Sequence, residues 1–515
     1  MTPTTRRRFL SDVSCGMLVA GVGVSLARDL GFSTAYADEG TEALPLGEYG
    51  PLVDLLESTP AEKLQPVLAD KFRRGEVDLK KLIAAGALAN AQTFGGCDYV
   101  GFHTAMAMLP ALEMSRQLAP ERQPLPVFKV LYRNSQQIQS VGGASKKTLM
   151  ALHAAEHSAE GDLGASIRDA CRKTDVKGAE DLFATVGNSP KEAFNALQPA
   201  VQDDINVHRF VFAHRTYGLV GLLGKEFSHT LLRQCVRFCI DHEQNRIAHK
   251  QGESAIRTVL PKLLDQYKLA GKEPGKRDPG DAAIDDLSRT IYKGPPERSA
   301  EAVAAALADG ISLEAVGEAI SLASNLLALC QGPENWRTHG DSKGVHSSDA
   351  TNAWRNMARV VDSRHAISGL IVAAYHSAAH DAFKTGPYPT GEHRALIKVE
   401  EPGALLGEVE DAVRHNDQGR AAAAMQIYSE RGNSPDPAFA LLLKYAVSED
   451  GRLHGEKYYH TVREEFRTIR PAFRWRQLVG LARVNASAYG YNREDKHGFR
   501  AAGYEEACRL LGVEA

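Results

Sequence analysis

Histidines with a carboxylate or a hydroxyl close by recur at matching places in the two halves of this chain. Asp98-Tyr-Val-Gly101-Phe-His103-Thr104 is answered by Asp341-Ser-Lys-Gly344-Val-His346-Ser347. Farther along, Asp204-x3-His208-x5-His214 is answered by Asp450-x3-His454-x5-His460. Histidine is scarce, 18 of 515 residues, so three coincident pairs exceed chance where the surrounding residues have drifted (Met106 faces Asp349, Ala111 faces Trp354). Imidazole and carboxylate together are the ligands of iron, copper, zinc and manganese, and also the partners of a general-base dyad.

Spacing constrains the chemistry. Asp204 and His208, like Asp450 and His454, stand at i, i+4, which on a helix puts both side chains on one face. Such a pair binds one metal through both groups, or the carboxylate fixes the tautomer of a ligand or base. His214 and His460 come six residues later, about 240° around a straight helix, and reach the same site only if the helix breaks or kinks. His103 and His346 follow a glycine by two at the start of a helix, an open approach for a ligand. A further pair, His153-Ala-Ala-Glu156-His157, aligns with Ile397, Glu400 and Glu401, so His157 is exchanged for another ligand type. The expected metal ligands are therefore His103, His157, His208, His214, His346, His454 and His460, with Asp204, His208, Asp450 and His454 as catalytic candidates.

The elements that must position these groups read as helices throughout. Asp78 and Ser312 are placed to cap alanine- and leucine-rich runs of helical period, and Gly75 and Gly310 end the helices before them. The matches continue through Met114/Met357, Arg116/Arg359, Tyr132/Tyr375 and Gly187-Asn-Ser-Pro190/Gly432-Asn-Ser-Pro435, the last a capping turn. The fold class expected is all-α, two tandem copies of one helical unit packed with pseudo-twofold symmetry. The boundaries read as a lead-in over 38–58, repeats over 59–245 and 294–486, a Pro/Gly-rich linker over 246–293 and a cap over 487–515.

Residues 1–37 read as a twin-arginine export signal: Thr5-Arg6-Arg7-Arg8-Phe9-Leu10, a mildly apolar stretch, then Ala35-Tyr36-Ala37 as cleavage site. That predicts a periplasmic or secreted protein, on a route that often carries proteins loaded with a cofactor beforehand. No segment after it reads as a membrane span. A net charge of −3 gives no electrostatic footprint for nucleic acid. The cysteines after residue 37 form no CxxC and read as buried structural residues. No P-loop, dinucleotide fingerprint or nucleophile elbow appears. The segment Ala308-Asp-Gly-Ile-Ser-Leu-Glu-Ala-Val-Gly-Glu-Ala319 is similar to a helix pair of the alkylhydroperoxidase D-like proteins. The redox cysteine motif of that family is absent, and no site residue follows from the similarity.

Three functions fit these residues. The first is an exported metal-dependent enzyme, an oxidoreductase acting on a small organic molecule, or its cofactor-free variant with Asp204–His208 as base. The second is a protein that holds a metal or cofactor without turnover. The third is a helical scaffold stapled by histidines, which requires His103 and His208 to lie too far apart to share a ligand.

Overall fold

The computed structural model describes residues 42–151, 161–186, 189–332, 342–378, 386–449, 453–490 and 501–515. Residues 1–37, read above as an export signal, and His153, Glu156, His157, Asp341 and Asp450 all lie outside the described residues. Among those described there are 23 α-helices and no strand, only two isolated bridges from Gly275 and Arg277 to Ser312 and Ile311. The all-helical expectation holds.

Ten helices position the site: α1 (Leu79–Phe94), α2 (Tyr99–Ser115), α3 (Pro124–Ser140), α4 (Val207–Leu223), α5 (Ser228–Ala248), α6 (Leu313–Cys330), α7 (Lys343–Ala358), α8 (Ser363–Ser377), α9 (His454–Thr468) and α10 (Trp475–Ala488). Their starts are chemically marked. Asp78 accepts from the Lys81 amide, Asp98 from Gly101, Asn206 from His208, Ser312 from Ala315 and Ser342 from Val345. Each such cap is worth about 1 kcal/mol and ties the register of the helix to one residue.

The two sets of five pack in the same order. Within the first, α1 packs on α2, α3 and α5, α2 on α3 and α4, and α4 on α5; α6 to α10 make the corresponding contacts among themselves. Two crossings join the sets, α4 on α7 and α2 on α9. Helices α2, α4, α7 and α9 thereby close a four-membered ring at the middle of the protein.

A buried polar trio holds each set. The Asn90 amide donates to Thr104 Oγ1 (2.9 Å), to Asn134 Oδ1 (2.8 Å) and to the Gly101 carbonyl (2.8 Å), linking α1, α2 and α3. At the corresponding places Ser324 Oγ lies 2.9 Å from Ser347 Oγ and 3.0 Å from Ser377 Oγ, linking α6, α7 and α8. The hydroxyl shared by Thr104 and Ser347 thus serves helix packing.

Gly101 and Gly344 do the same, which corrects their reading as an open approach for a ligand. A Cβ at Gly101 would lie 2.6 Å from the Phe94 ring, and one at Gly344 only 2.3 Å from the Ala328 backbone. Each glycine lets the helix that carries a histidine start close against the preceding one.

The span 246–293 is more than a linker, since it carries helices Ile256–Gln266 and Asp281–Lys293, the latter packed on α6. Among the described residues no disulfide forms, and every described cysteine but Cys97 is buried. α6 alone among the described helices is long and apolar enough to cross a membrane; 89% of it is buried inside the protein, as a core helix would be.

Candidate metal centre

Each helix of the central ring contributes one histidine to a common point. His103 stands on α2, His208 on the first turn of α4, His346 on α7 and His454 at the start of α9. Ring centroids run 4.6 Å from His103 to His208, 5.8 Å to His346, 5.0 Å to His454 and 5.3 Å back to His103. The circuit of imidazoles follows the circuit of helices. A pure scaffold requires His103 and His208 to be apart, and they are in contact.

Hydrogen bonding aims the lone pairs inward. His103 Nδ1 lies 2.7 Å from the Tyr99 carbonyl and His346 Nδ1 lies 3.0 Å from the Ser342 carbonyl. A carbonyl can only accept, so both Nδ1 atoms carry the proton and, in the neutral ring, both Nε2 atoms are bare. His103 Nε2 and His208 Nε2 are buried without a hydrogen-bond partner. His346 Nε2 and His454 Nε2 face each other at 3.2 Å. Ligand atoms of His103, His208 and His454 all fall within 4.8 Å of one another. Two zinc–imidazole bonds of about 2.0–2.1 Å at a tetrahedral angle separate their nitrogens by about 3.4 Å, close to the His346–His454 spacing. Backbone carbonyls that hold the far nitrogen of an imidazole are the usual outer support of a metal ligand.

Electrostatics keeps these rings neutral. Burial, then the Lys457 charge and the neighbouring imidazoles, push His103 and His454 well below the ordinary histidine range. Burial and then His346 and Lys457 do so for His208, and burial and Lys457 bring His346 to about 4. All four rings are therefore held in the neutral form, as a metal ligand requires. His103 and His454 are only 3% and 2% exposed, whereas His208 and His346 are half-buried. Tyr99 and Phe102 wall one side, with Tyr99 4.3 Å from His103 and Phe102 5.3 Å from His208, centroid to centroid.

The other expected residues fall elsewhere. The Asp204–His208 dyad does not form on a shared helix face, because α4 begins only at Val207 with Asn206 as its cap. Asp204 instead accepts from its neighbour Ile205 (2.7 Å) and lies 3.3 Å from His242 Nδ1 on α5. Burial alone would raise its carboxyl, but the His242 bond and the Arg209 charge outweigh that and hold it below the usual carboxylate range. His214 and His460 do not enter the ring, and neither α4 nor α9 is broken where they stand. At 1.5 Å per residue they lie about 9 Å farther along the helices. There His460 Nε2 pairs with Glu464 (3.3 Å), which also accepts from Asn356 (3.0 Å).

Three groups near the centre escape any search for matched pairs. His376 on α8 is half-buried, with its Nδ1 enclosed and unbonded, and burial, Lys343 and His346 bring it to about 3. Lys457 stands opposite Val211 in the alignment of the two halves, and Arg215 opposite Thr461. The available signal was the reverse of repetition, a charge present in one half only.

Comparison of the chain with protein family models, with curated proteins and with solved structures finds no match, so the geometry of the centre carries the functional reading.

Proposed function

We propose that this chain is an exported metal-dependent enzyme, an oxidoreductase on a small organic molecule, with one transition-metal centre held by His103, His208, His346 and His454. The observation that carries the reading is the closed circuit of four neutral imidazoles with two tautomers set by backbone carbonyls. Four nitrogen donors and no carboxylate in the cluster favour copper, iron or zinc over manganese. Neutral ligands in a buried site also favour the lower charge state of a redox ion, which suits an electron acceptor. The two five-helix sets are, in this reading, copies of one ancestral unit related by a pseudo-twofold axis through the centre, so each copy supplies half of one site. Arg6-Arg7-Arg8 and Ala35-Tyr36-Ala37 would send the folded, loaded protein out of the cytoplasm.

Plasma mass spectrometry of the purified, untagged protein tests this. One equivalent of copper or iron is expected, with a reversible redox change. The doubles His103→Ala/His208→Ala and His346→Ala/His454→Ala should both lose it while keeping their helical circular dichroism. Full metal content in either double would rule out the shared centre, and zinc would rule out the redox role. A second reading, a protein that holds the ion without turnover, draws on the burial of His103 and His454. It predicts stable occupancy and no oxidation or reduction of added organic substrates.

A further inference from the structure

Below the imidazole circuit the interior of the bundle holds charge that the protein does not neutralise by contact. Lys457 follows His454 by three residues on α9, Asp349 follows His346 by three on α7, and Arg215 follows His208 by seven on α4. Those spacings put each of them on the inward face that carries its histidine. Lys457 is 1% exposed, Arg215 3% and Asp349 3%.

The ammonium of Lys457 and the guanidinium of Arg215 make no hydrogen bond or salt bridge among the described residues, and Arg215 Nε and Asp349 Oδ1 are buried and unbonded. A lysine carries three donors and an arginine five, and buried donors of this kind are ordinarily satisfied. The neighbouring charges are already engaged: Glu456 pairs with Lys129 at 2.6 Å, and Glu464 with His460 and Asn356. The Lys457 charge acts on all four imidazoles, and Arg215 and Asp349 act on Lys457 in turn, which places the three together beside the centre.

The charge count then selects a ligand class. Without a metal, Lys457 and Arg215 face Asp349 and Glu464, while Glu456 beside Lys457 is balanced by Lys129. A divalent ion held by four neutral imidazoles adds two positive charges to the same low-dielectric space, where unneutralised charge is costly.

We infer that the centre takes a small anion, a carboxylate or a comparable oxyanion, bound between the metal and the unpartnered Lys457 ammonium with the Arg215 guanidinium behind it. The inference rests on the metal reading above and names the substrate class of that site. Lys457 would be the contact that selects charge, and Arg215 with its planar fork the one that selects shape. Asp349 opposes the anion and limits its affinity, so that a bound product can leave.

The test uses the full mature chain loaded with copper(II), its metal content measured first, then titrated with sodium azide at fixed ionic strength. The azide-to-copper absorption band reports binding. Saturable binding of one azide per copper is expected in the wild type. Lys457→Met should weaken it about tenfold or more at unchanged copper content, Lys457→Arg should retain most of it, and Asp349→Asn should tighten it. The opposite signs of the Lys457 and Asp349 variants separate lost charge from lost folding. Equal azide affinity in the wild type, Lys457→Met and Asp349→Asn, or copper-loaded protein that binds no azide, would overturn the anion site and leave the metal centre standing. Failure to load copper at all would show before azide is added, and would overturn the centre and the anion site together.

Discussion

His346 and His454, 108 positions apart in the chain, face each other Nε2 to Nε2 at 3.2 Å. Because the Ser342 carbonyl takes the proton of His346 Nδ1, His346 can only accept here. In the metal-free protein His454 must therefore donate from Nε2, which leaves its buried Nδ1 as the bare nitrogen. A metal bound at the proposed centre would take the place of that proton between the two Nε2 atoms.

That relationship leads to a stoichiometry. One centre shared by four helices predicts one metal per chain, where a separate site in each half would give two. Removing only His346 should lower affinity by a factor of about 10 to 100 or more, as the loss of one supporting group of a site does. Isothermal titration of the apo-protein with zinc would read both numbers.

The two glycines before the histidines should differ in tolerance. Gly101→Ala meets the Phe94 ring, which can shift, and a cost of about 1–3 kcal/mol is expected. Gly344→Ala meets the Ala328 backbone, which cannot move without displacing α6, so its cost should exceed that of Gly101→Ala. Thermal melts of the two variants would rank them.

The buried Glu465 carboxylate accepts from Ser321 (2.7 Å), from Asn352 (3.0 Å) and from Arg355, tying α6, α7 and α9 together. Glu465→Ala would leave the buried Arg355 guanidinium with Glu314 as its one remaining carboxylate, and a loss of up to about 3 kcal/mol is expected. Loss of metal affinity should accompany it, since α7 and α9 carry His346 and His454. Chemical denaturation and metal titration on one sample would show both.

His214 adds an acid sensitivity. Burial first, then the Arg215 charge, lowers its folded pKa to about 3, against 6.5 for the free side chain. The unfolded chain thus binds this proton below pH 6.5 and the folded protein only near pH 3. Stability is complete above 6.5 and falls steadily as the pH drops from 6.5 toward 3. His214→Gln should flatten that fall, with little effect near pH 8. A denaturation series on the apo-protein across this range measures it.

Much of the site was legible in the sequence. The helical period, the capping residues Asp78, Asp98 and Ser312, and the buried cysteines follow from local spacing and side-chain chemistry, which the chain carries wherever it folds. His103, His208, His346 and His454 stood out, together with His214 and His460, because they hold matching places in two halves whose other residues differ. The 240° offset of His214 from His208 also anticipated its separation from the centre. The Asp204–His208 pairing misled because i, i+4 means a shared face only inside a helix, and Asn206 starts that helix two residues too late.

Type and periodicity of residues therefore determined an all-helical protein, since helix formation depends on interactions within a few residues, and the matching of the halves put the four histidines among seven candidates. Tertiary structure alone decided that the four form one centre, because His346 and His208 meet only where α7 crosses α4, and His103 and His454 only where α2 crosses α9. It alone brought Asp204 to His242, and Lys457 and Arg215 to the interior beside the imidazoles. Those contacts join residues far apart in the chain, and burial, which no spacing records, is what gives their charges force.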